Sequence, residues 1–138
     1  MSNRPGSEGC QTIIEQSWKE LNSKNYDHSI VLADQCFEMV KERAIIEQEN
    51  LSKNTVSIKI LKKDEIYENW ALNYAGECLF LIGEAYRLQG KNDQAKEYYL
   101  KVINEFPNSF GGTSSKEVWK IKEAAESMIN KNKKIAQP

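Results

Sequence analysis

His28 is the only histidine in the chain, and Asp27 beside it makes this pair the first place to look for acid–base chemistry. No nucleophile and no further carboxylate stands at a motif spacing from it. It falls in the first turn of an expected helix, where an exposed histidine needs no catalytic account. Cys10, Cys36 and Cys78 are the candidate nucleophiles and metal ligands. They are odd in number and far apart, which suggests neither a disulfide framework nor zinc-ligand spacing. Cys36 and Cys78 lie among apolar residues in helical runs and read as buried structural thiols. Cys10 lies in a polar, glycine-containing stretch with no apolar segment before it that would mark lipidation. Glu42, Glu47 and Glu49 read as a solvated face, and the sequence has no glycine-rich phosphate loop or nucleophile motif. These residues predict a non-enzyme, with no catalytic side chain, no metal site and no cofactor.

Composition points the same way. A chain of 138 residues, 40% hydrophobic and 28% charged, suits one folded domain with a real core. Lys+Arg 19 against Asp+Glu 20 leaves a net charge of -1, so no global field draws in nucleic acid or an anionic membrane. Lys116, Lys120, Lys122, Lys131, Lys133 and Lys134 make the C-terminal part basic. Glu117, Glu123 and Glu126 dilute it, and no aromatic ladder accompanies it, so nucleic acid is not an expected partner. No segment is long and apolar enough to span a bilayer, so no membrane association is expected either. The chain as it stands reads as cytoplasmic; a leader removed beforehand would make it periplasmic or secreted.

The elements that position any binding residue follow from the hydrophobic period. Residues 1–11, with Pro5, Gly6 and Gly9, read as a disordered lead-in. Thr12 and Glu15 form a capping box that opens a first helix carrying Ile13, Ile14, Trp18 and Leu21. Tyr26, Ile30, Ala33, Phe37, Val40 and Ala44 recur in steps of three and four and predict a second helix. From Asn50 to Lys63 the period breaks, and Val56, Ile58 and Ile60 alternate with polar residues. That stretch reads as an extended loop tucked against the helices; the alternative is an edge for pairing with another chain. Asp64 caps a long third helix to about Gln89 with Ala71, Tyr74, Ala75, Cys78, Leu79, Ile82, Gly83 and Tyr86 inward, and Gly90 stops it. A fourth helix holds Ala95, Tyr98, Tyr99, Val102, Ile103 and Phe106 and ends at Pro107. Beyond a Gly111–Gly112 joint, Ser114 and Glu117 form a second capping box opening a fifth helix with Val118, Ile121, Ala125 and Met128. The fold class is all-α: an antiparallel array of about five helices in one domain over 12–131, with a tail at 132–138.

Leu79, Ile82, Gly83 and Tyr86, followed by Ala95, Tyr99 and Pro107, resemble a tetratricopeptide repeat over residues 76–109. Gly83 and Ala95 are small where two helix axes must approach, and Tyr86 and Tyr99 fill the gaps beside them. The stretch Lys24 to Ile30 resembles the inter-helix turn of a weaker copy, with Ser29 at the small position and an insertion of about 32 residues before the clean repeat. The last helix, over 115–130 with Trp119, Ala124 and Ala125, resembles the helix that caps such arrays. From Trp18 to Ile129 the chain is similar to small bacterial tetratricopeptide proteins with a divergent first pair, a Trp70–Asn73 segment and one clean repeat. Members of that group often carry export leaders.

The resemblance implies a protein- or peptide-binding adaptor. Trp70, Asn73, Glu77, Phe80, Glu84 and Arg87 form a second stripe on the third helix, apart from its core stripe. In this family the matching face lines the groove that holds ligands. An exposed stripe of this kind would accept an apolar or aromatic anchor at Trp70 and Phe80 and a basic side chain at Glu77 or Glu84, while Arg87 takes a carboxylate or carbonyl. The alternative is that the N-terminal pair or a second copy covers the stripe as core. Self-association into a homodimer through an open helical flank is the competing function.

Overall fold

Two helical hairpins and a closing helix account for most of the described residues, 7–53, 62–112 and 117–136 of a computed structural model. The first hairpin is α1 (Ser7–Asn22) and α2 (Tyr26–Lys53). A short α3 (Lys63–Glu68) leads into the second, α4 (Trp70–Leu88) and α5 (Asn92–Glu105). Then β1 (Phe110–Gly111) pairs antiparallel with β2 (Trp119–Lys120), Phe110 opposite Lys120, and α6 (Ile121–Ala136) packs on α5 and α4. Among the described residues the fold is all-α apart from this two-residue ladder.

The two hairpins cross in the same way. In the second, a Cβ built on Gly83 would lie 2.7 Å from Tyr99 Cε1, so only glycine lets the helices approach this closely. In the first, Ser17 and Ser29 occupy the crossing, and both are buried. The Ser17 hydroxyl donates to the Ser29 carbonyl at 2.8 Å, and the Ser29 hydroxyl donates to the Ser17 carbonyl at 3.0 Å. Ser17 to Gly83, Lys24 to Gly90, Ser29 to Ala95 and Val40 to Phe106 are each 66 residues apart, so one offset maps the first hairpin onto the second. The turns share their φ signature and two closing bonds. Lys24 and Gly90 both have positive φ, 66° and 80°. Lys24 N–H donates to Leu21 O as Gly90 N–H does to Arg87 O, and Asn25 N–H to Glu20 O as Lys91 N–H does to Tyr86 O. These are left-handed helix stops that satisfy the last carbonyls.

α4 lies at the centre, against α1, α2, α5, α6 and β1. Every residue from Trp70 to Ala85 is buried, as befits a helix enclosed on all sides. Its N-terminus is capped from a distance. Asn69 makes no side-chain cap bond; instead Glu47 of α2, itself aligned by Arg43, accepts the Leu72 N–H at 2.8 Å. Next along α2, Gln48 forms a pair of bonds with Asn108, accepting from its N–H at 3.0 Å and donating to its side chain at 2.7 Å. Glu47 therefore does not belong to a solvated face, because α2 continues to Lys53 and turns that residue inward.

Other elements also differ from the sequence reading. α1 begins at Ser7, so Thr12 lies inside a helix and does not open one. Cys10 is buried and disulfide-bonded to Cys36. The expected third helix is two helices broken at Asn69, whose side chain donates to the Glu65 carbonyl at 2.7 Å in place of a continued backbone ladder. Trp119 and Lys120 form strand, not the first turns of a capping helix, because Phe110 and Gly111 offer them a ladder. Val56, Ile58, Ile60 and Ser114 lie outside the described residues.

Candidate functional site

The stripe on α4 is not an open groove. Trp70, Asn73, Glu77, Phe80 and Glu84 are buried, and Arg87 is partly so. They fall into three groups. Trp70 sits at the start of α4 beneath the Arg43 guanidinium, 4.7 Å from its ring, with Tyr74 edge-on at 6.2 Å. It is thereby separated from Phe80, with which the sequence reading pairs it as a joint anchor. Ten residues of helix place the two about 15 Å apart.

Asn73, Glu77 and Phe80 form the second group, and they hold Phe110, Gly112 and Trp119 from the stretch between α5 and α6. Asn73 accepts the Phe110 N–H at 3.0 Å and donates to the Ile66 carbonyl at 2.8 Å. Glu77 accepts the Trp18 indole N–H at 2.7 Å and a backbone N–H from Gly112. Phe80 meets the Trp119 ring edge-on, centroids 5.3 Å apart, and Tyr99 at 5.7 Å. Close fit depends on small residues here. A Cβ on Gly76 would collide with the Ser109 side chain, and one on Gly111 with the Trp119 indole. Gly112, at φ 70°, turns the backbone so that the segment stays against α4.

Glu84 and Arg87 form the third group. Arg87 makes a bidentate pair with Glu84, both bonds 3.0 Å, and the Tyr99 hydroxyl donates to the same carboxylate at 2.5 Å. The Glu84 hydrogen bonds push the Arg87 pKa up, and burial followed by the bond to Glu84 pushes the Tyr99 hydroxyl up. Arg87 therefore already holds a carboxylate, supplied from one turn away. Burial raises the Glu77 carboxyl above the usual carboxylate range, against the pull of its donors Trp18 and Gly112.

Two further groups of residues lie elsewhere. His28 is exposed and lies 3.5 Å from Glu20. With Lys24, Asn25, Tyr26, Asp27 and Gln89 it lines a shallow depression of about 400 Å³. The three cysteines, one each on α1, α2 and α4, are fully buried with their sulfurs all within 4.8 Å of one another. Cys10 had a signal in the sequence: Cys10, Ile14, Ser17 and Leu21 run in steps of four, three and four and are all buried. Glycines just before Cys10 hid it. Trp119 had no such signal as a groove occupant, because its role depends on a two-residue ladder.

Residues 77–109 match the tetratricopeptide repeat family. With the helical array around them, they make this a tetratricopeptide-repeat-like protein, a class of generally non-catalytic protein-interaction modules. No curated protein and no solved structure matches the chain. No helix among the described residues is long and apolar enough to cross a membrane.

Proposed function

We propose that this chain is a non-catalytic adaptor whose α4 face receives an extended segment of a partner protein, in competition with its own residues 108–112 and Trp119. One observation carries the reading: Asn73 and Glu77 accept backbone N–H groups of that segment while Phe80 packs on its Trp119 ring. Side chains that grip backbone recognise extended chain with little regard to sequence, and an aromatic anchor adds selectivity. Glu77 and Glu84 on the same face disfavour an acidic peptide. Trp119→Ala frees the anchor site, so on a peptide array the variant should gain several-fold in signal over wild type, chiefly for peptides carrying an aromatic residue. Unchanged signal, or a preference for acidic C-terminal peptides, would remove this face as the binding site.

A second reading, the homodimer, is favoured by Val31, Met39, Ile45 and Ile46, which α2 leaves exposed on its outer side. Light scattering of wild type and Met39→Lys separates the two. A wild-type dimer that the variant dissociates supports self-association, and a monomer at all concentrations removes it.

A further inference from the structure

The adaptor reading makes no use of the three cysteines. Cys10, Cys36 and Cys78 come from three different helices and present sulfurs that all lie within 4.8 Å of one another. All three residues have 0% exposure. From these positions we propose that the reduced chain carries a three-thiolate site for a soft, trivalent thiophilic centre of the arsenic(III) type, closed when Cys10 and Cys36 are joined as a disulfide.

Ligand type and number set the class. Three sulfurs with no carboxylate or imidazole among them favour soft ions. Zinc completes a tetrahedron with a fourth ligand or a water, and the described residues bring no fourth side chain of metal-ligand type into the group. Charge selects within the soft ions. Buried charge is costly unless paired, and the side chains that act on Cys78, Glu77 and Asp34, are carboxyls that offer no positive charge to pair with thiolates. Three thiolates around copper(I) would leave two negative charges in this setting. Around a trivalent centre they leave none. The reaction balances without redox change: arsenious acid and three thiols form three As–S bonds and release three waters. Opening the site beforehand takes a two-electron reductant: a dithiol, for example, delivers two electrons and two protons to the Cys10–Cys36 bond and leaves as its own disulfide. Access runs through α1, because Cys10 stands in its opening turns and helix ends open at the least cost.

The test uses the full chain, reduced by a phosphine that is then removed under nitrogen, and titrated with arsenite. Native mass spectrometry should show one arsenic gained and three protons lost per chain, with all three cysteines protected from alkylation. The oxidised chain should take up none. Cys78→Ser, checked for helical content by circular dichroism, should bind about tenfold more weakly or worse, because it keeps only two of the three tethered ligands; Cys78→Ala serves if the serine variant loses helix. No uptake by the reduced chain, equal uptake by the oxidised chain, or unchanged affinity in the Cys78 variant would overturn the proposal. So would copper(I) engaging all three sulfurs where arsenite does not, since that would contradict the charge argument.

Discussion

Ser17 against Ser29 and Gly83 against Tyr99 close the two hairpins, yet the hairpins are secured by different means. The second is closed by shape: a bare glycine, the Tyr99 ring lying on it, and a glycine turn at Gly90. The first is closed by bonds: reciprocal serine hydroxyls, the Cys10–Cys36 disulfide and a lysine holding the left-handed turn. Where the steric fit is weaker, hydrogen bonds and a covalent link replace it. Conserving the crossing geometry does not require conserving the residue types that produce it.

The largest expected effect strikes the bonded hairpin alone. Closing a loop across a sequence separation of 26 residues removes enough unfolded-chain entropy to stabilise the fold by about 3 kcal/mol. Cys10→Ser should therefore lower the denaturant midpoint by a corresponding amount, and reducing agent should lower wild type but leave the variant unmoved. Next comes the shape-closed hairpin. Gly83→Leu drives a branched side chain into Tyr99 and should cost about 2 kcal/mol. A chemical melt in which Gly83→Leu matches His28→Ala would break the register drawn between the two hairpins.

The repeat was legible because its signal is local and steric. Gly83, Ala95, Tyr99 and Pro107 each carry their reason in their own side chain, and an offset of 66 residues links Ser29 to Ala95 in the sequence itself. The break at Asn69 was not legible, because an asparagine within an otherwise regular helical pattern marks an end only when its neighbours pack in different directions. The cysteine cluster depends on three helices converging, which no spacing along one helix announces. The state of the groove was least legible of all. Trp70, Asn73, Glu77, Phe80, Glu84 and Arg87 do share a helical stripe, but whether it faces solvent depends on what folds over it: Arg43 at Trp70, Trp18 at Glu77, Phe110 and Trp119 at Asn73 and Phe80, and Tyr99 at Glu84.

Two smaller effects sharpen the comparison. Because burial raises the Glu77 carboxyl, the folded chain holds that proton more tightly than the unfolded chain does. Stability from this group is therefore greatest below the usual carboxylate range, and it falls as pH rises through that range to the group's own raised value. Glu77→Gln should flatten the decline in Tm as pH rises above the usual carboxylate range; an unchanged slope would mean that burial does not raise this carboxyl. The smallest effect concerns the turns. Lys24→Gly relieves a side chain from positive φ and should stabilise by about 1 kcal/mol, while Gly90→Ala should destabilise by about the same. Opposite signs from one geometry would show that the turns are equivalent.

The most direct test of the account asks whether α4 grips an extended segment as a separable ligand. A fluorescently labelled peptide of residues 108–121 is titrated against wild type and Trp119→Ala, with anisotropy as the readout. The account predicts saturable binding to Trp119→Ala, at least about tenfold weaker binding to wild type, whose groove is already filled, and loss of the signal when Phe80→Ala is added to the variant. No binding to the variant, or equal binding to both proteins, would contradict it.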